Sequence, residues 1–186
     1  MIPLAITPGD PGGIGPDLCI QAAIDGELEG ILVADPKILR RRAEILGLPV
    51  SIMDADHYNP ERTQGIVYVE PVAAADPANV PGFSDPINAG YCLQSLEHAL
   101  NGINEGRFRA LVTGPVNKGT IRDAGFHDFT GHTEFLRDFY GLSEVVMMLA
   151  STDCRVALVT THLPLKDVPK AITHERVRSV TTIVIE

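Results

Sequence analysis

Short apolar runs alternate with helix-length amphipathic segments along this chain, and that alternation restricts its fold more than any other feature. "PLAIT" (3–7), "GILVAD" (30–35), "VSIMD" (50–54), "GIVYVEP" (65–71), "ALVTGP" (110–115), "VVMMLA" (145–150) and "CRVALVTTH" (154–162) have the length and composition of strands. Helical segments lie between several of them. One opens at Pro16, since proline suits the first helical turn, and "PKILRRRAEIL" (36–46) is stopped by Gly47 and Pro49. A long helix covers "INAGYCLQSLEHALNGINEG" (87–106). Strands that are apolar throughout, separated by helices, predict an α/β fold with a largely parallel sheet covered on both faces.

Ligands of such sheets sit beyond the carboxyl ends of the strands. Three strand-exit loops have suitable polar content: "TPGDPGGIGPD", "TGPVNKG" and "TTHLPL". Residues 72–86, "VAAADPANVPGFSDP", form a long proline-rich loop, of the kind that is often functional or marks a crossing between domains.

Composition excludes several classes. With 186 residues, 45% apolar and 21% charged, the chain can bury a core and is not a disordered protein. Its net charge of −9 argues against nonspecific nucleic-acid binding, and its basic run, "RRR" at 40–42, reads as the solvated face of a helix. No apolar stretch approaches the ~20 residues of a membrane span. Cys19, Cys92 and Cys154 are widely spaced and odd in number, which fits neither a disulfide framework nor a zinc knuckle. Each reads as a small buried apolar residue of a cytoplasmic protein. The N-terminus has no charged n-region and no long apolar run, so it is not a signal peptide.

Four segments could carry chemistry. In "PGDPGGIGP" (8–16) the glycines permit a tight turn and close approach to a ligand, but the spacing is neither the dinucleotide fingerprint nor a Walker A loop. A ligand role and a purely structural turn both remain open. In "ALVTGPVNKGTI", Lys118 near a helix start could meet a phosphate or carboxylate, or could be a surface lysine. In "FTGHTEFLRDFYG" (129–141), His132 and Thr133 stand at a helix N-terminus, where an imidazole, a hydroxyl and open N–H groups suit an anion. The alternative is Thr133 as an N-cap with Glu134 as the first-turn acid. Last, "RVALVTTHLPLKDV" (155–168) reads as a buried strand delivering His162 to its exit. Without a second His at helical spacing, His162 alone is a metal ligand, a general base or a satisfied core histidine. His57, His98, His127 and His174 read as ordinary residues.

Taken in order, "TPGDPGGIGPD", "ADPKILRRRAEILGLP", "NAGYCLQSLEHAL", "ALVTGPVNKGTIRDAG", "FTGHTEFL", "VVMMLA" and "RVALVTTHLPLKDVPKAIT" resemble the PdxA family, the 4-hydroxythreonine-4-phosphate dehydrogenases of pyridoxal phosphate biosynthesis. The resemblance runs from about residue 4 to the last residue and covers only the N-terminal part of the family's length. It implies a two-domain fold like that of isocitrate and isopropylmalate dehydrogenases. Residues 1–125 would form the first domain segment and 126–186 the start of the second. The closing "TIVIE", apolar and uncapped, predicts a chain that continues, from a helix or from a helix passing into a strand.

The resemblance implies NAD- or NADP-dependent oxidation of 4-phosphooxy-L-threonine. Decarboxylation to 3-amino-2-oxopropyl phosphate would follow, assisted by a divalent metal (zinc, magnesium or cobalt). By the same resemblance His132 and Thr133 match the substrate-binding pair, and His162 matches one ligand of a three-histidine metal site. The family assembles that site between the subunits of a homodimer, so the other ligands would come from later sequence, and this chain alone could be inactive. No cofactor-binding residue and no proton-transfer base is assigned. The shared motifs are equally compatible with a paralogous dehydrogenase for a threonate or erythronate phosphate or an aromatic diol carboxylate. A non-catalytic metabolite-binding fragment is the rival from another class.

Overall fold

A computed structural model describes residues 2–78 and 80–185. The chain divides into two compact units, Met1–Thr130 and Gly131–Glu186.

The first unit is a parallel sheet between helices. Its strands are β1 (Ala5–Thr7), β2 (Ile31–Ala34), β3 (Ser51–Asp54), β4 (Ile66–Pro71) and β5 (Leu111–Thr113), in the order β3-β4-β2-β1-β5. Every pairing is parallel, with Ala5 opposite both Ile31 and Leu111. Successive side chains of a strand point to opposite faces, and the core divides accordingly. Ile6, Leu32, Ala34, Val67 and Val69 pack with Cys19, Ala23 and Leu39 of α1 (Gly15–Asp25) and α2 (Pro36–Leu46). Ala5, Ile31, Val33 and Tyr68 face the other way, toward Ala99 of α3 (Ala89–Asn104) and Phe108. All four β2 residues are buried because both faces are covered, which is why the sequence shows an unbroken apolar run there.

Local chemistry fixes the helix ends. Asp35 caps α2 by accepting from the Lys37 N–H at 2.7 Å, Pro36 occupies the first turn, and Gly47 ends the helix in the left-handed region at φ 66°. The expected strands are all present, mostly shortened to three or four residues. The segment expected as a helix from residue 87 begins with a 3-10 turn, Pro86–Asn88, and becomes α3 at Ala89.

The second unit contains α5 (His132–Phe139), the strands β6 (Met148–Ala150) and β7 (Arg155–Ala157), and the helices α6 (Val168–Ala171) and α7 (His174–Ile185), while α4 (Lys118–Asp123) belongs to the first unit. One expectation is corrected here. β6 and β7 pair antiparallel, joined by a tight connection in which Cys154 is exposed rather than buried. Of the two readings of the closing segment the helix holds, with "TIVI" helical as far as Ile185. Among the described residues no helix is long and apolar enough to cross a membrane.

Candidate functional site

Two concave sites lie at the loops singled out by the sequence, one in each unit. The first occupies the carboxyl end of the parallel sheet. From β1 the chain passes through α1 to β2 on one side of β1, while β5 lies on the other side. α1 packs with α2, whereas α4, which follows β5, packs with α3. The loops after β1 and β5 therefore leave adjacent strands toward opposite faces, the geometry of a topological switch point. A cleft of about 870 Å³ opens there, lined among others by Asp10, Gly13, Arg42, Ser84, Asn117 and Lys118.

The glycines of residues 8–16 are used mainly to let backbones meet. A Cβ on Gly9, which has φ +83°, would lie 2.2 Å from Pro115 O, and one on Gly12 would lie 2.0 Å from Phe83 O. In their place the loops are laced together. Asp10 N–H donates to Pro115 O at 3.0 Å, Gly114 N–H to Thr7 O at 2.6 Å, and Gly82 N–H to Gly12 O at 2.8 Å. The Asp10 carboxylate accepts from Gly12 N–H at 2.8 Å and from the Ser84 hydroxyl. The proline-rich segment thus contributes Pro81, Gly82 and Ser84 to the cleft wall. Below it, the Cys92 thiol donates to Gly9 O at 3.7 Å, and burial together with the nearby Asp10 charge pushes that thiol up to about 12.

Arg42 corrects the expectation that residues 40–42 are a solvated face. Arg40 and Arg41 are exposed, but Arg42 is 3% exposed. Its Nη1 donates to Gly13 O at 3.1 Å and to Asp17 Oδ1 at 2.6 Å, and its Nη2 donates to Pro11 O at 2.6 Å. A signal for this existed in the sequence. Arg42 falls on the same stripe as the buried Ile38, Leu39 and Ala43, four residues on from Ile38. Lys118 is exposed, at the start of α4, whose N-cap Asn117 accepts from Thr120 N–H at 3.1 Å.

The second site is a polar pocket of about 210 Å³ lined by residues that include Thr133, Arg137, Glu144, Thr161, His162 and Arg176. Thr133 and His162, expected to serve one site, are brought together in it. His132 opens α5 beside Thr133 and is half-buried, but is not among the described residues lining the pocket. The N-cap of α5 is Gly131, so Thr133 does not serve as the cap.

His162 is not at a strand exit, because β7 ends at Ala157. It is exposed, in a loop, with φ 60°. A side chain in the left-handed region is disfavoured unless its surroundings impose it, and such residues cluster at functional sites. Arg176 and Glu144, which sequence reading missed, pair across the pocket. Arg176 Nε donates to Val159 O at 3.0 Å, its Nη1 meets Glu144, and the Ser179 hydroxyl also donates to that carboxylate. No short motif links these residues, which are more than thirty positions apart. Among the described residues no three His, Cys, Asp or Glu side chains gather to hold a metal ion. His162 can therefore supply one ligand of a set, not the set.

The family described as "pyridoxal phosphate biosynthetic protein PdxA" matches residues 27–186. The chain belongs to the PdxA family. A 4-hydroxythreonine-4-phosphate dehydrogenase of Ectopseudomonas mendocina is 46% identical over 186 residues, covering 96% of this chain and 54% of the relative. One from Thioalkalivibrio sulfidiphilus is 48% identical over 172 residues, covering 91% of this chain and 52% of its own length. The crystal structure of 4-hydroxythreonine-4-phosphate dehydrogenase from Klebsiella pneumoniae superposes with a TM-score of 0.88 at 26% identity, over 99% of this chain and 58% of that one. The chain thus has the α/β fold of PdxA proteins and spans about half the length of the curated relatives it matches.

Proposed function

We propose that this chain carries part of the active site of an NAD- or NADP-dependent dehydrogenase acting on 4-phosphooxy-L-threonine in pyridoxal phosphate biosynthesis. The observation that carries the reading is the meeting of Thr133 and His162 in one polar pocket, in a chain whose relatives bear that enzyme's name. His132 and Thr133, at the start of α5, would bind substrate polar groups with the imidazole, the hydroxyl and the open N–H groups of the first turn. Arg137 and Arg176 line the same pocket, each paired with a carboxylate, Asp138 and Glu144, so a substrate anion would have to exchange with those partners.

His162, exposed and held in a loop, fits as one imidazole ligand of a divalent cation (zinc, magnesium or cobalt), with the remaining ligands supplied by residues outside this chain. A cation bound there would polarise the substrate alcohol and the ketone formed from it. A homodimer that shares this site between its subunits is part of the same proposal.

The switch-point cleft is the place for the dinucleotide. Its volume of about 870 Å³ is in the range of small-molecule sites, and it sits where open α/β sheets take their ligands. Lys118 and Asn117 stand on its rim as donors for phosphate and ribose oxygens. The decisive assay follows NADH or NADPH formation by the intact gene product with 4-phosphooxy-L-threonine and added divalent metal, beside His162→Ala. Metal-dependent turnover that collapses in the variant is expected. Full turnover in the variant would remove His162 as a ligand. Turnover only with a threonate or erythronate phosphate would reassign the substrate within the same chemistry.

A further inference from the structure

We infer that Arg42 is a positioning residue for the switch-point cleft, a role that rests on the reading of that cleft as the dinucleotide site. A buried guanidinium is costly unless its donors are satisfied, and here three acceptors converge on it. Two are main-chain carbonyls of the glycine-rich loop, Pro11 O and Gly13 O, and the third is Asp17 in the first turn of α1. These carbonyls belong to a segment with no regular structure, between β1 and α1.

Arg42 thus does for the loop what a neighbouring strand would do for an edge. Its planar fork fixes two peptide groups at once, which a lysine cannot do in the same geometry. The C=O and N–H of a trans peptide point in opposite directions. Fixing Pro11 O therefore sets the direction of the Gly12 N–H, which donates to Asp10 at 2.8 Å, and fixing Gly13 O sets the direction of the Ile14 N–H. Gly12, Gly13, Ile14 and Asp10 all line the cleft. With the Gly12 and Gly13 N–H groups both donated to Asp10, the shape of the wall and the aim of the Ile14 N–H depend on an arginine that sits on a different helix. Asp17 balances the charge, so Arg42 sets geometry without adding a net positive field.

The test compares Arg42→Met, Arg42→Lys and Asp17→Asn with the unsubstituted intact gene product. The KM for the dinucleotide is expected to rise about tenfold or more in Arg42→Met. The KM for 4-phosphooxy-L-threonine should stay unchanged, and Arg42→Lys should recover part of the loss. A variant that merely loses stability would lower the active fraction and leave both KM values where they were. Hydrogen exchange supplies a readout that needs no activity. The Gly12, Gly13 and Ile14 amides should exchange faster in Arg42→Met while those of β2 and β4 keep their protection. If Arg42→Met does not fold, Asp17→Asn retains the arginine and should show the same changes more weakly. Unchanged loop exchange, or KM values for both substrates moving together, would overturn the positioning role. Absence of turnover in the unsubstituted protein would instead sink the dehydrogenase reading, and the exchange result would still decide the role of Arg42 in the loop.

Discussion

The two units of this chain start from similar sequence signals and reach different states. "GILVAD" and "VVMMLA" are both short apolar runs. The first yields β2, all four residues of which are buried between α1–α2 and α3. The second yields β6, all three residues of which are exposed, with Leu149 at 62%. The first unit buries a continuous core on both sheet faces. In the second, Gly131 and Val180 are the buried positions among the described residues, while Leu165, Ile172 and Val177 remain exposed. An apolar run records that a strand is to be covered, not that its own neighbours in sequence will cover it. The first unit covers β1, β2 and most of β4 by itself and leaves its edge strands β3 and β5 largely exposed, whereas β6 and β7 of the second unit are exposed at most positions.

The sharpest way to break this contrast is a pair of matched truncations. Leu32→Ala removes a fully buried side chain from β2 and is expected to cost about 2–5 kcal/mol, whereas Leu149→Ala should change stability by less than about 0.5 kcal/mol. Urea unfolding followed by tyrosine fluorescence suits the comparison, since Tyr58, Tyr68 and Tyr91 lie in the first unit and Tyr140 in the second. Equal losses from the two variants would mean that β6 is covered in solution, and the contrast would fail.

The same division explains how much of the structure could be read in the sequence. Elements whose signals are local were legible. The end of α2 followed from Gly47, and the β1, β2 and β4 strands from their apolar runs. Thr133 and His162, both picked out by resemblance to a family whose motifs are contiguous, line one pocket. What was not legible depends on contacts distant in sequence. Arg42 looked solvated because the acceptors that bury it, Pro11 and Gly13, lie about thirty residues upstream. The antiparallel pairing of β6 and β7 was hidden because a short apolar run does not state the direction of its partner. His162 was expected at a strand exit because each residue of "VALVTT" is apolar or β-branched, yet pairing stops at Ala157.

A second effect sharpens the comparison through pH. Burial pushes the Cys19 and Cys92 thiols of the first unit from 9.0 to about 12, while Cys154 in the second unit is exposed. Folding keeps the two buried thiols protonated where the unfolded chain would ionise them. Their contribution is thus fully present below pH 9.0 and is lost as pH rises from there toward about 12. Within that window each thiol should lower stability by about 1.4 kcal/mol per pH unit. Urea titrations across the window should show this slope, and a Cys19→Ala/Cys92→Ala variant should flatten it relative to the unsubstituted chain.

The smallest effect concerns two ion pairs that look alike on paper. Arg42–Asp17 and Arg176–Glu144 each join an arginine to a carboxylate, but the Arg42 side chain is 4% exposed and that of Arg176 is 42% exposed. Solvent screens the second pair, and ordering two long side chains opposes what attraction remains. Arg176→Ala should therefore loosen α7 by no more than about 1 kcal/mol, read as slightly faster amide exchange over 174–185. High salt should erase the difference, because screening removes the Coulomb part in the unsubstituted chain as well. Arg42→Met should keep its effect in high salt, since its three acceptors are reached without intervening water. If Arg176→Ala proves as costly as Arg42→Met and equally indifferent to salt, the Arg176–Glu144 pair is buried in solution. The second unit would then be covered by surface that its own elements do not provide.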